Sequence, residues 1–352
     1  MDILLVYQFC SFGGVERAVL NRSKTFRRYG QDVHISIGYL EDYGALQSFQ
    51  EYIRANRLDN LLSAFLIDET TPPNLARYDF VFVIDTPRFF KHIGNADNVL
   101  VECHTPYVEN RQYLKSLPGN ILGIVVPSIW FKSLILQEFA GLPPVFVLPN
   151  PVPEEFYNIS PKTDDSYFTK RPIAYLARLD TLKNFTEAAR IFELFAENYN
   201  IMFAIIGNGA EAAETVTDLT GKKILGRSFL RDHIAFDAVP AFIRVVKGHK
   251  GVFISPSTGE SFGLSAAEFI SAGVPVLLSD IGPHRELVNA DPRFLYPLGE
   301  VFAAREKIIA LFEHWDDVSL TVEAYGKKFD GEAFINAWRN MIGFRRGSAD
   351  SA

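Results

Sequence analysis

Short, uninterrupted apolar runs alternate along this chain with longer stretches in which apolar residues recur at helical spacing. In the first half the runs are Ile3 to Tyr7, Val33 to Tyr39, Phe80 to Ile84, Val99 to Glu102 and Ile121 to Val126. They are rich in Val and Ile and lack a polar alternate face, which predicts parallel strands buried on both sides. Helices are predicted between them, from Val15 to about Tyr29 after Gly13-Gly14 and from Trp130 to Phe139.

The alternation stops at Pro149-Asn150-Pro151-Val152-Pro153 and the polar stretch Ser160 to Arg171. Proline fixes φ and removes backbone donors, so an extended connector is expected here. The pattern then restarts. Strands are predicted at Pro172 to Ala177, Ile201 to Ile206, Lys223 to Leu225, Val252 to Ser255 and Val274 to Leu278. Helices are predicted at Asn184 to Glu197, Ala210 to Leu219, Val239 to Val246, Leu264 to Ala272, His284 to Asn289 and Val301 to Trp315. A last amphipathic stretch, Ala333 to Phe344, carries Phe334, Ile335, Trp338, Met341 and Ile342 at helical spacing. The expected fold class is α/β, with two Rossmann-like doubly wound parallel-sheet domains. The expected boundaries are 1–152, 153–330 and a terminal helix at 331–352 that packs back on the first domain.

The chain has 352 residues, 48% hydrophobic and 22% charged, a composition of a folded globular protein rather than a disordered one. Its net charge of −7 argues against a dedicated nucleic-acid binder. The two cysteines, Cys10 and Cys103, lack metal-finger or CxxC spacing, so neither a disulfide framework nor a zinc site is expected. MDILLVYQFC reads as a first strand rather than a leader, and no apolar stretch has the length of a bilayer span. A cytoplasmic protein is the expectation, with peripheral attachment to the inner face of a membrane left open. The basic residues Arg17, Arg22, Lys24, Arg27 and Arg28 of the first helix offer the means, although a solvated helix face is the plainer reading.

The chemistry concentrates in Ser255 to Glu286, SPSTGESFGLSAAEFISAGVPVLLSDIGPHRE. A buried strand leads into a small-residue loop and then a helix opening near Phe262 to Leu264. The first N–H groups of that helix lack intrahelical partners and carry partial positive charge, a ready phosphate site. Glu260 and Glu268 bracket it with seven residues between them. Carboxylates repel phosphate but accept hydrogen bonds from vicinal hydroxyls, so sugar and ribose suit them. Each Glu alone would read as an ordinary surface charge. The second segment is Ala177-Arg178-Leu179-Asp180-Thr181-Leu182-Lys183-Asn184, where two cations at a strand end can neutralise a diphosphate.

The stretch from Ser257 to Glu286 resembles the E-x7-E signature of retaining GT-B glycosyltransferases of family 4, and the order of motifs agrees over nearly the whole chain. The resemblance implies two domains facing a cleft. It places Glu260 at the donor sugar, Glu268 at the ribose, and the backbone of Phe262, Gly263, Leu264 and Ser265 at the diphosphate. Arg178 and Lys183 take the place of the cations that grip the leaving diphosphate. Gly13 and Gly14 resemble the family's glycine loop, Gly207 and Gly209 a glycine turn near the nucleotide, and His104 a histidine near the donor sugar. This chain has Glu-Ser-Phe-Gly where the family often has Glu-Gly-Phe-Gly.

The implied activity is transfer of a sugar from a UDP- or GDP-sugar to a hydroxyl of a glycan, lipid-linked or small-molecule acceptor, with retained configuration, in synthesis of bacterial surface polysaccharide, lipopolysaccharide or glycolipid. No D-x-D pair or ligand cluster occurs, so no metal and no cofactor are expected. The alternatives are a nucleotide-sugar epimerase of the same fold and a nucleotide-binding module without catalysis. Gly207-Asn208-Gly209 also mimics a dinucleotide fingerprint, but Lys222-Lys223-Ile224-Leu225-Gly226 lacks the acidic residue a dehydrogenase needs.

Overall fold

The computed structural model describes residues 1–11, 13–157, 159–160, 170–195, 200–204, 224, 228–231 and 234–349. Their strands form two parallel sheets, each within its own compact unit. Residues 1–151 and 331–352 make up the first unit, and residues 152–330 the second.

The first sheet contains β1 (Asp2–Cys10), β2 (His34–Asp42), β3 (Leu62–Leu66), β4 (Phe80–Ile84), β5 (Val99–Glu102), β6 (Gly123–Val126) and β7 (Val145–Val147). Their order is β3-β2-β1-β4-β5-β6-β7, and every pairing is parallel. All residues of β4, β5 and β6 are buried, which is why their runs lack a polar face. The helices α1 (Gly14–Arg28), α2 (Leu46–Ala55) and α3 (Ile129–Glu138) form the connections.

The second sheet contains β8 (Pro172–Leu176), β9 (Asn200–Ala204), β10 (Ser228–Arg231), β11 (Val252–Ser255), β12 (Val276–Ser279) and β13 (Leu295–Tyr296), ordered β10-β9-β8-β11-β12-β13 and again parallel. Its helices are α4 (Phe185–Glu193), α5 (Val239–Gly248), α6 (Leu264–Ser271), α7 (Gly282–Leu287), α8 (Val301–Glu313) and α9 (Trp315–Gly326). Both orders step outward to one side and then restart on the other. The strand carboxyl ends flanking that restart, β1 and β4 in one sheet and β8 and β11 in the other, are where doubly wound sheets bind ligands.

The last helix, α10 (Gly331–Ala349), belongs to the first unit. Trp338 is buried there against Phe26, Phe80 and Phe82, with ring centroids 5.1, 6.0 and 6.1 Å away. Phe334 meets Phe26 at 5.2 Å. Aromatic pairs of this geometry add about 0.5–1.5 kcal/mol each beyond area burial.

Several elements depart from the sequence expectation. β3, β7 and α2 were unexpected: β3 and β7 are short sheet-edge strands, and α2 buries only Phe49 and Ile53. The strand expected from Ile121 begins at Gly123, and the helix expected from Asn184 begins at Phe185, because Asn184 is left-handed at φ 49°. The helix expected from Val301 to Trp315 is α8, which ends at Glu313, and α9, which begins at Trp315, was not expected. Asp316 and Asp317 sit in the first turn of α9, where the helix dipole favours acidic residues. The helix expected at 210–219 lies outside the described residues, as does most of the strand expected at 223–225. The described strand in that region is β10.

Candidate functional site

In the second unit the site is built from the loops that follow β8 and β11. These strands are adjacent and parallel, so both loops leave the same edge of the sheet. Hydrogen bonds join the loops directly. Thr258 N donates to Leu182 O at 2.8 Å, and Asn184 Nδ2 donates to Pro256 O at 3.1 Å. The first loop is shaped by Asp180, whose Oδ1 accepts from Lys183 N at 3.1 Å. The same Asn184 amide nitrogen donates to Glu187 Oε2 at 2.8 Å. Glu187 in turn is buried and accepts from the Tyr296 hydroxyl and from Gly299 N at 3.0 and 2.9 Å. The loop is therefore held from three sides.

Lys183 Nζ and Glu260 Oε1 stand 2.6 Å apart across the two loops. Ser257 Oγ also donates to Glu260 Oε1, at 2.9 Å. Burial alone would raise the Glu260 carboxyl, but the Lys183 ammonium, His284 and Ser257 bring it below its usual value. Arg178 is exposed, with its guanidinium 3.0 Å from Asp180 Oδ2.

The helix opening is held by both its ends. Phe269 of α6 stacks on Phe253 of β11 with centroids 4.1 Å apart and planes 16° from parallel. Gly263, at the N-cap, has φ +94°, and a Cβ there would stand 3.1 Å from Leu287 Cδ1, so the position suits glycine alone. Phe262 is buried, whereas Gly263, Leu264 and Ser265 are half-buried. Glu268 lies on α6 with its residue wholly buried. Gly207 and Gly209 lie outside the described residues.

His284 was not singled out from the sequence. It is wholly buried on α7, its Nδ1 2.9 Å from Ser279 O and 3.0 Å from Ser279 Oγ. Ser279 Oγ donates to Ser257 O at 2.5 Å, so β12 reaches the Glu260 loop through this chain. Burial pushes the His284 imidazole pKa down, partly offset by Glu260. The sequence signal was present, since His284 follows Gly282-Pro283 at a helix start, but its partner could not be read.

In the first unit the ends of β1, β4 and β5 carry the polar groups. Gly13 caps α1, and its N–H donates to Glu16 Oε2 at 2.7 Å, while Ser11 N donates to Glu16 Oε1 at 3.3 Å. Glu16 is thus a buried capping group, not a surface charge, and burial raises its carboxyl despite these bonds. Gly14 is exposed. His104 follows β5; its N–H donates to Asp85 Oδ2 at 2.9 Å and its Nε2 lies 2.6 Å from Glu102 Oε1. Arg22 clasps Glu102 with two hydrogen bonds, of 2.5 and 3.0 Å. The basic face read on α1 is corrected accordingly: Arg17 and Arg22 are buried, Arg27 and Arg28 exposed.

The structure therefore brings Lys183 and Glu260 together, sets them in the same strand-end region as Gly263, and gathers Gly13, Asp85 and His104 at neighbouring strand ends of the other sheet. Among the described residues no group of three or more His, Cys, Asp or Glu is placed to hold a metal ion. Among them no helix is long and apolar enough to cross a membrane. Cys10 and Cys103 are buried free thiols.

Residues 161–328 match the family model described as glycosyl transferases group 1. A sucrose synthase of Denitrovibrio acetiphilus is 27% identical over 136 residues, which are 34% of this chain and 17% of that protein. The chain thus spans about a sixth of that curated relative. Among solved structures, Alr3699/HepE of Anabaena in complex with UDP-glucose superposes with a TM-score of 0.76 at 16% identity, over 99% of this chain and 100% of that one. A variant of TarM from S. aureus in complex with fondaparinux, α-GlcNAc-glycerol and UDP gives 0.74 at 14% identity, over 97% and 99%. The chain has the GT-B fold of these structures, and the residues that match the glycosyl transferases group 1 model lie within its second unit.

Proposed function

We propose that this chain is a retaining glycosyltransferase that moves a sugar from a nucleoside-diphosphate donor to a hydroxyl acceptor without a metal ion. The observation that carries the reading is the pairing of Lys183 with Glu260 at the sheet's switch point, close to the α6 opening. A cation and a helix N-terminus are what a diphosphate needs, and a neighbouring carboxylate is what sugar hydroxyls need. Arg178 is exposed and adds a second cation. UDP or a UDP-sugar in the Anabaena and S. aureus structures supports a uridine donor.

In the reaction the bond from the sugar C1 to the phosphate oxygen breaks, and its electron pair leaves with the diphosphate. Lys183, Arg178 and the α6 N–H groups stabilise the negative charge that grows there. The acceptor oxygen bonds to C1 on the same face and its proton passes to the departing phosphate oxygen. No protein base is then required. Glu260 binds hydroxyls of the transferred sugar, and Glu268 those of the ribose once the helix opening accommodates the nucleotide. His104 binds a substrate hydroxyl. The acceptor belongs to surface polysaccharide, lipopolysaccharide or glycolipid synthesis.

The test is a thermal-stability panel of UDP, GDP, ADP and their sugars. A ligand that binds only the folded state at a hundredfold excess over its Kd stabilises by about 2.7 kcal/mol. We expect one nucleoside diphosphate and its sugar to raise Tm. If none does, the reading fails. If the product of the matching sugar nucleotide carries inverted configuration, retention is rejected.

A further inference from the structure

The end of β5 carries a buried carboxylate that the proposed reaction does not use directly. Glu102 is the last residue of β5 and is 1% exposed. Its Oε2 accepts from Arg22 NH1 at 3.0 Å. Its Oε1 accepts from Arg22 NH2 at 2.5 Å and faces His104 Nε2 at 2.6 Å. Arg22 reaches out from the middle of α1, itself buried, and its NH2 is also 3.3 Å from Asn150 Oδ1. One carboxylate thus ties a helix, a strand end and the loop that follows it.

We infer that Glu102, anchored by Arg22, is a positioning residue that fixes His104 in its Nε2–H tautomer and leaves Nδ1 as a hydrogen-bond acceptor for a substrate hydroxyl. The inference rests on the reading of His104 as a substrate-binding residue.

The geometry leaves little choice of tautomer. Arg22 donates to both oxygens of Glu102 and fixes the carboxylate as an acceptor, so a nitrogen 2.6 Å from Oε1 must bring the hydrogen. Although burial raises the Glu102 carboxyl, Arg22 and His104 hold it well below the usual carboxylate range, so it is ionised at neutral pH. The histidine main chain is fixed independently. His104 N donates to Asp85 Oδ2, and Asp85 sits in the left-handed region at φ 41° with its Oδ1 accepting from the Tyr113 hydroxyl at 2.8 Å. Ring and backbone are therefore clamped by different carboxylates. Among the described residues Nδ1 has no hydrogen-bond partner, and the side chain is 17% exposed. With Nε2–H held by Glu102, a lone pair on Nδ1 selects a donor such as a sugar hydroxyl over a phosphate oxygen, which is itself an acceptor.

A purely structural role would make Glu102 the partner of Arg22 and nothing more. Two measurements separate the readings. The first is a long-range proton–nitrogen correlation spectrum of 15N-labelled full-length protein at neutral pH. The chain has seven histidines, so His104 is assigned by difference from His104→Gln. We expect the Nε2–H tautomer in the wild type and a mixture in Glu102→Gln. An Nδ1–H tautomer or an imidazolium in the wild type overturns the inference, and this holds even if the variant does not fold. The second is release of UDP from UDP-glucose, or of GDP from GDP-mannose if the stability panel selects GDP. Glu102→Gln should lower kcat about 10- to 100-fold, the usual cost of losing a group that orients a functional histidine, with KM little changed. Unchanged kcat in a folded variant overturns it. If neither sugar nucleotide is turned over by the wild type, the reading of the enzyme falls while the tautomer still judges Glu102.

Discussion

Lys183 Nζ and Glu260 Oε1, 77 positions apart in the chain, meet at 2.6 Å. On the proposed assignment, the cation for the diphosphate and the carboxylate for the sugar hydroxyls form one ion pair. Lys183→Ala should therefore cut turnover by about 10²–10³-fold, the loss typical of removing one group that stabilises leaving charge. It should also lower Tm, since Lys183 and Glu260 are only 20% and 12% exposed and the covered carboxylate loses its cation, but the loss of turnover should exceed what unfolding explains. Steady-state kinetics beside calorimetry check this, and wild-type turnover would remove the diphosphate assignment.

The same pair makes a contrasting expectation for Glu260→Gln. Neutralising the carboxylate frees Lys183 and removes a charge that repels phosphate. The bare nucleoside diphosphate should bind more tightly, by up to about tenfold or 1.4 kcal/mol. Transfer should fall. Isothermal titration with UDP or GDP reads the affinity, and weaker binding would count against the placement of the diphosphate beside Lys183.

Acid should act on the Arg22–Glu102 pair with a definite sign. The folded carboxyl titrates below its usual value, so the folded state binds fewer protons than the unfolded state. Stability from this pair is complete above about pH 4.5 and is lost progressively as the pH falls through and below that value. Glu102→Gln should be less stable than the wild type at pH 7, and the gap should narrow in denaturant melts at pH 4 and close further at pH 3. A gap independent of pH would assign the loss to packing instead.

How much of this was legible beforehand follows from what each element asks of its residues. The central strands were legible because burial on both faces demands unbroken apolar runs such as Phe80 to Ile84. The place of the Glu260 loop was legible because its small residues sit between an unbroken apolar run and a helical stretch, as a loop from strand end to helix start requires. β7 was not, since Val145-Phe146-Val147 is three residues at an edge. Arg22 was misread as part of a basic face, because its partner is 80 positions away and nothing local betrays a buried ion pair. Ser279 and His284 were missed for the same reason, as their importance lies in the contact with Ser257.

Gly326 ends α9 where it crosses the end of α6. A Cβ at this position would stand 2.6 Å from Ser271 Cα and 3.1 Å from Ser271 N, against backbone that cannot rotate away. Gly326→Ala should destabilise the protein by about 1–3 kcal/mol, the range for overpacking. Since the helix that meets the strain opens at Gly263, nucleotide affinity should weaken as well. Chemical denaturation and titration test the two effects, and an unchanged midpoint would contradict the close approach.

Trp338→Ala should cost about 3–5 kcal/mol, because the indole is 2% exposed and fills a nest of Phe26, Phe80 and Phe82. The loss should appear as a lower thermal midpoint. A variant as stable as the wild type would mean that α10 is dispensable.

The placement of α10 also bears on how the protein is made. A ribosome delivers Phe26, Phe80 and Phe82 more than 250 positions before Trp338. Throughout that interval the aromatic face of the nascent first unit awaits the indole that covers it, whereas the described strands of the second sheet all lie within residues 152–330. Vectorial synthesis thus favours the later-made unit maturing first, with the earlier-made one waiting for α10 and most in need of chaperone shelter until it arrives.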